Sequence, residues 1–153
     1  MELSMLTSLL ISIHILAGIL GLLLGVGAMS MTKKKGWHTH LGVIYHYCFL
    51  VITISASLLA FLNWERLWWF FPVAIFSYLF ALLGFISAKL KFKNWLRLHL
   101  AGQCGSFIAM CTAVAVVNFG SISVLVWFIP TLIGTPIIIW LAHEVKSGRR
   151  PRY

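Results

Sequence analysis

Long apolar runs separated by short polar or basic stretches organise this chain. A membrane-crossing helix needs about 20 predominantly apolar residues, and five runs meet that length. They cover approximately residues 3–31, 41–62, 68–88, 98–119 and 122–142. Lys33-Lys34-Lys35 closes the first run. Asn63-Trp64-Glu65-Arg66 separates the second from the third, and Lys89 to Arg97 separates the third from the fourth. Gly120-Ser121 allows a tight turn into the fifth. The pattern predicts an all-α bundle of five transmembrane helices forming one transmembrane domain over residues 1–153. With loops this short there is no room for a soluble domain, so function has to reside inside the bundle or at its rims.

Charge placement orients the bundle. With five spans, Lys33–Lys35, Lys89–Arg97 and Lys146–Arg152 fall on one side, which gathers all cations except Arg66 out of 12. The positive-inside rule then places the N-terminus outside and the C-terminus inside. Trp64, Trp68 and Trp69 outside, with Trp37 and Trp95 inside, stand where an aromatic belt belongs. Lys33, Lys34, Lys35, Lys89, Lys91, Lys93 and Arg97 are expected to meet anionic lipid headgroups.

Composition narrows the function classes. Charged residues make up 10% of the chain, against roughly a quarter in soluble domains. A net charge of +9 in a soluble protein would suggest nucleic acid. Here the cations flank apolar runs, so topology accounts for them and no nucleic-acid partner is expected. Asp is absent and acidic residues number 3, which disfavours carboxylate-based proton transport. Zinc hydrolases need an acidic general base near the metal-bound water, and only Glu144 is placed to serve. Cys48, Cys104 and Cys111 lie within apolar runs without a CxxC pair and are expected to be free, buried thiols. No cleavable signal peptide is expected, because the first run is too long and has no basic region before it.

Three runs carry small residues at helical spacing. His14, Gly18, Gly21, Gly25 and Ala28 share one face of the first; Ser77, Ala81, Gly84 and Ala88 share one of the third; and His99, Gly102, Ser106, Ala109 and Ala113 share one of the fourth. Such faces let helix backbones pack closely in membranes. A glycine face beside a histidine could equally leave room for a flat ligand such as haem. Pro130 and Pro136 are expected to kink the fifth span.

The histidines are the best functional lead. His38, His40, His99 and His143 are expected near the inner rim, with His46 about two turns deeper. His14 lies 19 residues before Lys33, roughly 28 Å along a straight helix, and so in the outer half. An intramembrane histidine is a functional candidate by default, although His14 could instead hydrogen-bond a serine or Asn118 on a neighbouring span. His38, His40, His99, His143 and Glu144 could together hold a zinc or copper ion. Alternatively, two of the histidines, first His38 and His99, with His46 and His14 as further candidates, could clamp a b-type haem iron. Haem needs no carboxylate, so this reading suffers least from the acidic deficit.

His14 in a glycine-rich first span, His38-x-x-Leu41-Gly42-x-x-Tyr45 opening the second and His99 opening the fourth resemble a family of small bacterial multi-pass membrane proteins of unknown function. Members usually carry Arg where Thr39 and Val43 stand here, and Arg and Trp where Leu100 and Gln103 stand. The resemblance implies a bacterial cytoplasmic membrane and carries no activity with it. The leading expectation is therefore a haem- or metal-binding membrane protein that moves electrons, with a homo-oligomer or a membrane redox partner. One alternative is a small transporter or lipid-interacting protein whose polar cavity is lined by Asn118, Gln103, Thr131 and His14, with no cofactor. Another is a structural subunit of a membrane complex.

Overall fold

A computed structural model of the chain describes residues 2–32 and 35–147, so Lys33, Lys34, Arg149, Arg150 and Arg152 of the basic clusters lie outside the described residues. The elements are α1 (Glu2–Ser30), α2 (Trp37–Leu62), the single turn α3 (Trp64–Leu67), α4 (Phe70–Leu90), α5 (Trp95–Phe119), a 3₁₀ turn (Val124–Trp127) and α6 (Ile129–Lys146). Five stretches are long and apolar enough to cross a membrane: Leu3–Ser30, Trp37–Leu62, Phe70–Leu90, Trp95–Phe119 and Val124–Glu144. Two compact units make up the chain, Met1–Leu79 and Phe80–Tyr153.

In the first unit, α1 packs on α2. Gly36 makes the turn between them with φ of 129°, a backbone region in which side-chain-bearing residues are strained. From there α2 starts at Trp37, four residues before the expected start of the span. Rim residues such as His38 and His40 are polar, yet they remain helical, and the His40 amide bonds the Gly36 carbonyl at 3.0 Å. At its far end α2 stops at Asn63, whose amide and side-chain nitrogen both donate to the Leu59 carbonyl.

In the second unit, α5 follows a turn in which Lys91 and Asn94 adopt left-handed conformations, with φ of 49° and 64°. Asn is among the few residues that visit this region readily. The fifth span departs from expectation. Ser123 Oγ accepts from the Leu125 amide and starts the 3₁₀ turn, and α6 begins only at Ile129. Pro130 thus stands in the first turn of α6, where its missing N–H costs nothing. Only Pro136 is inside the helix.

Polarity is distributed as expected when lipid is the solvent. Large apolar side chains are exposed along the spans, among them Leu16, Leu23, Phe76, Val117 and Leu132. The buried set includes Ser55, Ser87, Ser106 and Thr53 beside Ala28, Ala60 and Ala81. The hydroxyls return to their own helices: Ser87 Oγ donates to the Leu83 carbonyl at 2.6 Å and Thr53 Oγ1 to Phe49 at 2.9 Å. That leaves a flush surface for close packing. The small-residue faces point inward, with Gly21, Gly25 and Ala28 of α1, Ala81 and Gly84 of α4, and Gly102 and Ser106 of α5 all buried.

Candidate functional site

Two histidines share one arrangement. His38 is in the first turn of α2, and its Nδ1 lies 2.9 Å from the carbonyl of Ala28 near the end of α1. His99 is in the second turn of α5, and its Nδ1 lies 2.9 Å from the carbonyl of Gly84 in α4. A carbonyl can only accept, so Nδ1 carries the proton in both rings. In the neutral imidazole the lone pair is then on Nε2. Ligating histidines are commonly oriented in this way, with the second nitrogen donating to a carbonyl.

Their surroundings differ. Beyond His38 by one helical turn, Gly42 has open space where a Cβ would be. Beside His99 the glycine face is closed. A Cβ on Gly102 would come within 2.5–2.7 Å of the Gly84 backbone and the Phe80 carbonyl. The small-residue face of α4 and α5 is therefore filled by the backbones themselves and offers no slot for a flat ligand at Gly84–Gly102.

His14 takes the simpler of its two expected roles. Its Nδ1 lies 3.0 Å from Ser55 Oγ on α2, and Ser55 is also 2.8 Å and 3.0 Å from the Val51 and Ile52 carbonyls. This is the serine on a neighbouring span, and it ties α1 to α2. His46 is buried against Tyr78, with Nε2 3.4 Å from the phenol oxygen and ring centroids 5.6 Å apart. Nothing in the sequence pointed to Tyr78, which stands in an apolar run with no periodic signal.

The metal reading needs three or more ligands gathered in one place. Among the described residues, no three His, Cys, Asp or Glu side chains form a group that could hold a metal ion. His40 and His143 are exposed on their helices, while His38 and His99 are turned toward backbone carbonyls.

The polar residues expected around a cavity are placed differently. Gln103 Nε2 donates to the Ala81 carbonyl at 3.0 Å, one more tie between α4 and α5. Asn118 is exposed and donates to its own helix at Val114, 2.8 Å away, and Thr131 is exposed. Cys48, Cys104 and Cys111 are in no disulfide among the described residues, with Cys48 buried and the other two half-buried. No protein-family model, curated protein or solved structure matches the chain, so the resemblance to the small bacterial membrane family stands on its motif residues alone.

Proposed function

We propose that this chain is a haem-binding protein of the bacterial cytoplasmic membrane, N-terminus out and C-terminus in, that relays electrons between a cytoplasmic or quinone donor and an acceptor. His38 in the first unit and His99 in the second are each offered as an axial nitrogen ligand through Nε2. The observation that carries this reading is their common orientation, each Nδ1–H held by a backbone carbonyl at 2.9 Å. That bond selects the tautomer a metal requires and locks the ring before the ligand arrives.

Ligand number favours haem over a bare ion. Tetrahedral zinc takes three or four protein ligands, and no such group is gathered among the described residues. Haem iron is already coordinated by the porphyrin and needs only one or two axial imidazoles. Open space at Gly42 beside His38 suits the approach of a planar ring.

The test is an absorption spectrum of the detergent-purified protein, oxidised and then dithionite-reduced, with elemental analysis of the same sample. A Soret band that shifts on reduction, together with iron in proportion to haem, is the expected result. A colourless sample that takes up no added haem would overturn the reading.

A further inference from the structure

Where α5 begins and α6 ends, Lys93, Arg97, Leu98 and Ala101 face Ile138 and Ala142 across an open cleft of about 410 Å³. The cleft has two chemical halves. Lys93, just before α5, and Arg97, in its first turn, are exposed cations at one edge. The walls are hydrocarbon from Leu98 and Ala101 on α5 and from Ile138 and Ala142 on α6, and no acidic residue lines them.

A second cleft provides the contrast. At the turn from α2 into α3, Leu62, Asn63, Glu65 and Arg66 enclose a similar volume, but there one carboxylate stands with one guanidinium. That pair has no net preference for an anion. Of these two clefts, the one between α5 and α6 joins two cations, with no acidic residue in its lining, to an apolar groove.

Both features point to one occupant. Lys93 and Arg97 lie at the end of a membrane-length helix, where phospholipid headgroups are found, and the groove continues toward the hydrocarbon. Basic pockets between transmembrane helices recognise anionic lipid headgroups in this way. Arg presents a planar fork to two phosphate oxygens and Lys adds a point charge. Ala101 and Ala142 have short side chains, and this keeps the groove open.

We propose that the α5–α6 cleft is a binding site for one anionic phospholipid. Its phosphate sits between Lys93 and Arg97, and the first carbons of an acyl chain run along Leu98, Ala101, Ile138 and Ala142. The proposal rests on the five-span membrane reading and is independent of haem.

Native mass spectrometry of the full-length protein tests it, using mixed micelles of phosphatidylglycerol and phosphatidylcholine with identical chains. At about 1 kcal/mol per juxtamembrane cation, two cations correspond to a preference of roughly ten- to thirtyfold. The expected result is one retained phosphatidylglycerol per chain, enriched to that degree. The double variant Lys93→Ala/Arg97→Ala should lose the enrichment, and Lys89→Ala/Lys91→Ala should keep it. Ala142→Trp, which fills the groove and leaves the charges, should also lose the retained lipid. Millimolar inorganic phosphate should not displace it. Equal retention of the two lipids, or equal loss in both double variants, would overturn the proposal in favour of diffuse charge. Displacement by free phosphate, or an unaffected Ala142→Trp variant, would reject the acyl groove.

Discussion

Substituting Gly102 by Ala probes a close backbone approach between α4 and α5. The added Cβ would stand 2.5 Å from the Gly84 nitrogen, 2.6 Å from the Phe80 carbonyl oxygen and 2.7 Å from the Gly84 Cα. These are backbone atoms that cannot rotate away, and ordinary contact begins at 3.4 Å. Relief therefore requires α4 and α5 to separate by about 1 Å. Such a shift would stretch His99 Nδ1 to the Gly84 carbonyl, now 2.9 Å, and Gln103 Nε2 to the Ala81 carbonyl, now 3.0 Å, to about 4 Å, outside hydrogen-bond range. Interhelical bonds in membranes are worth about 0.6 kcal/mol on average and up to about 1.7. Two of them, together with lost contact along the crossing, come to about 2–4 kcal/mol. Ala recovers about 1 kcal/mol through helix propensity, which leaves a net loss of about 1–3 kcal/mol. The assay is unfolding by sodium dodecyl sulfate in mixed micelles, followed by tryptophan fluorescence. Gly18→Ala is the control, because nothing lies within 4 Å of its added Cβ. It should be neutral or slightly stabilising. If Gly102→Ala proves as stable as Gly18→Ala, the backbone-contact reasoning is wrong.

Other expectations concern the turn, His14 and the topology. Gly36→Ala forces a side chain into φ of 129° and should cost about 1–3 kcal/mol in the same titration, whereas Gly42→Ala, on open helix surface, should not. Ser55→Ala removes the α2 partner of His14 at 3.0 Å and should cost about 0.6–1.7 kcal/mol, while Ser30→Ala, whose hydroxyl bonds only its own helix at Val26, should cost less. For topology, a green fluorescent protein fused after Tyr153 should fluoresce in cells. A thiol introduced by Arg66→Cys should react with an impermeant maleimide from outside, and one introduced by Lys93→Cys should not; the opposite labelling pattern would invert the assigned orientation.

Different signals explain what was legible. Membrane-length helices are written in apolar run length, since hydrocarbon thickness sets a minimum, and all five were found. Their ends were displaced by a few residues because rim residues such as Trp37, His38, Trp95 and Arg97 are polar or amphipathic yet helical. The small-residue faces were legible as stripes at helical spacing. Their depth was not, because whether Gly84 and Gly102 touch or leave a slot depends on helix register. The partner of His14 could be narrowed to a serine on another span by the need to satisfy a polar group in lipid. Tyr78 beside His46 could not be anticipated, because long-range pairing leaves no local pattern. For the rim histidines, depth along a helix is legible from sequence and azimuth is not. His40 and His143 are both exposed on their own helices.

The central claim is that His38 and His99 are ligands while His14 is a structural tie. Haem titration into the apo-protein, with the Soret band as readout, compares wild type with His38→Ala, His99→Ala and His14→Ala, each first shown to be folded by its circular dichroism. The account predicts that His38→Ala and His99→Ala weaken binding at least tenfold or shift the Soret band, and that His14→Ala leaves its position and intensity per haem unchanged. Equal binding by all four proteins, or loss confined to His14→Ala, would contradict it.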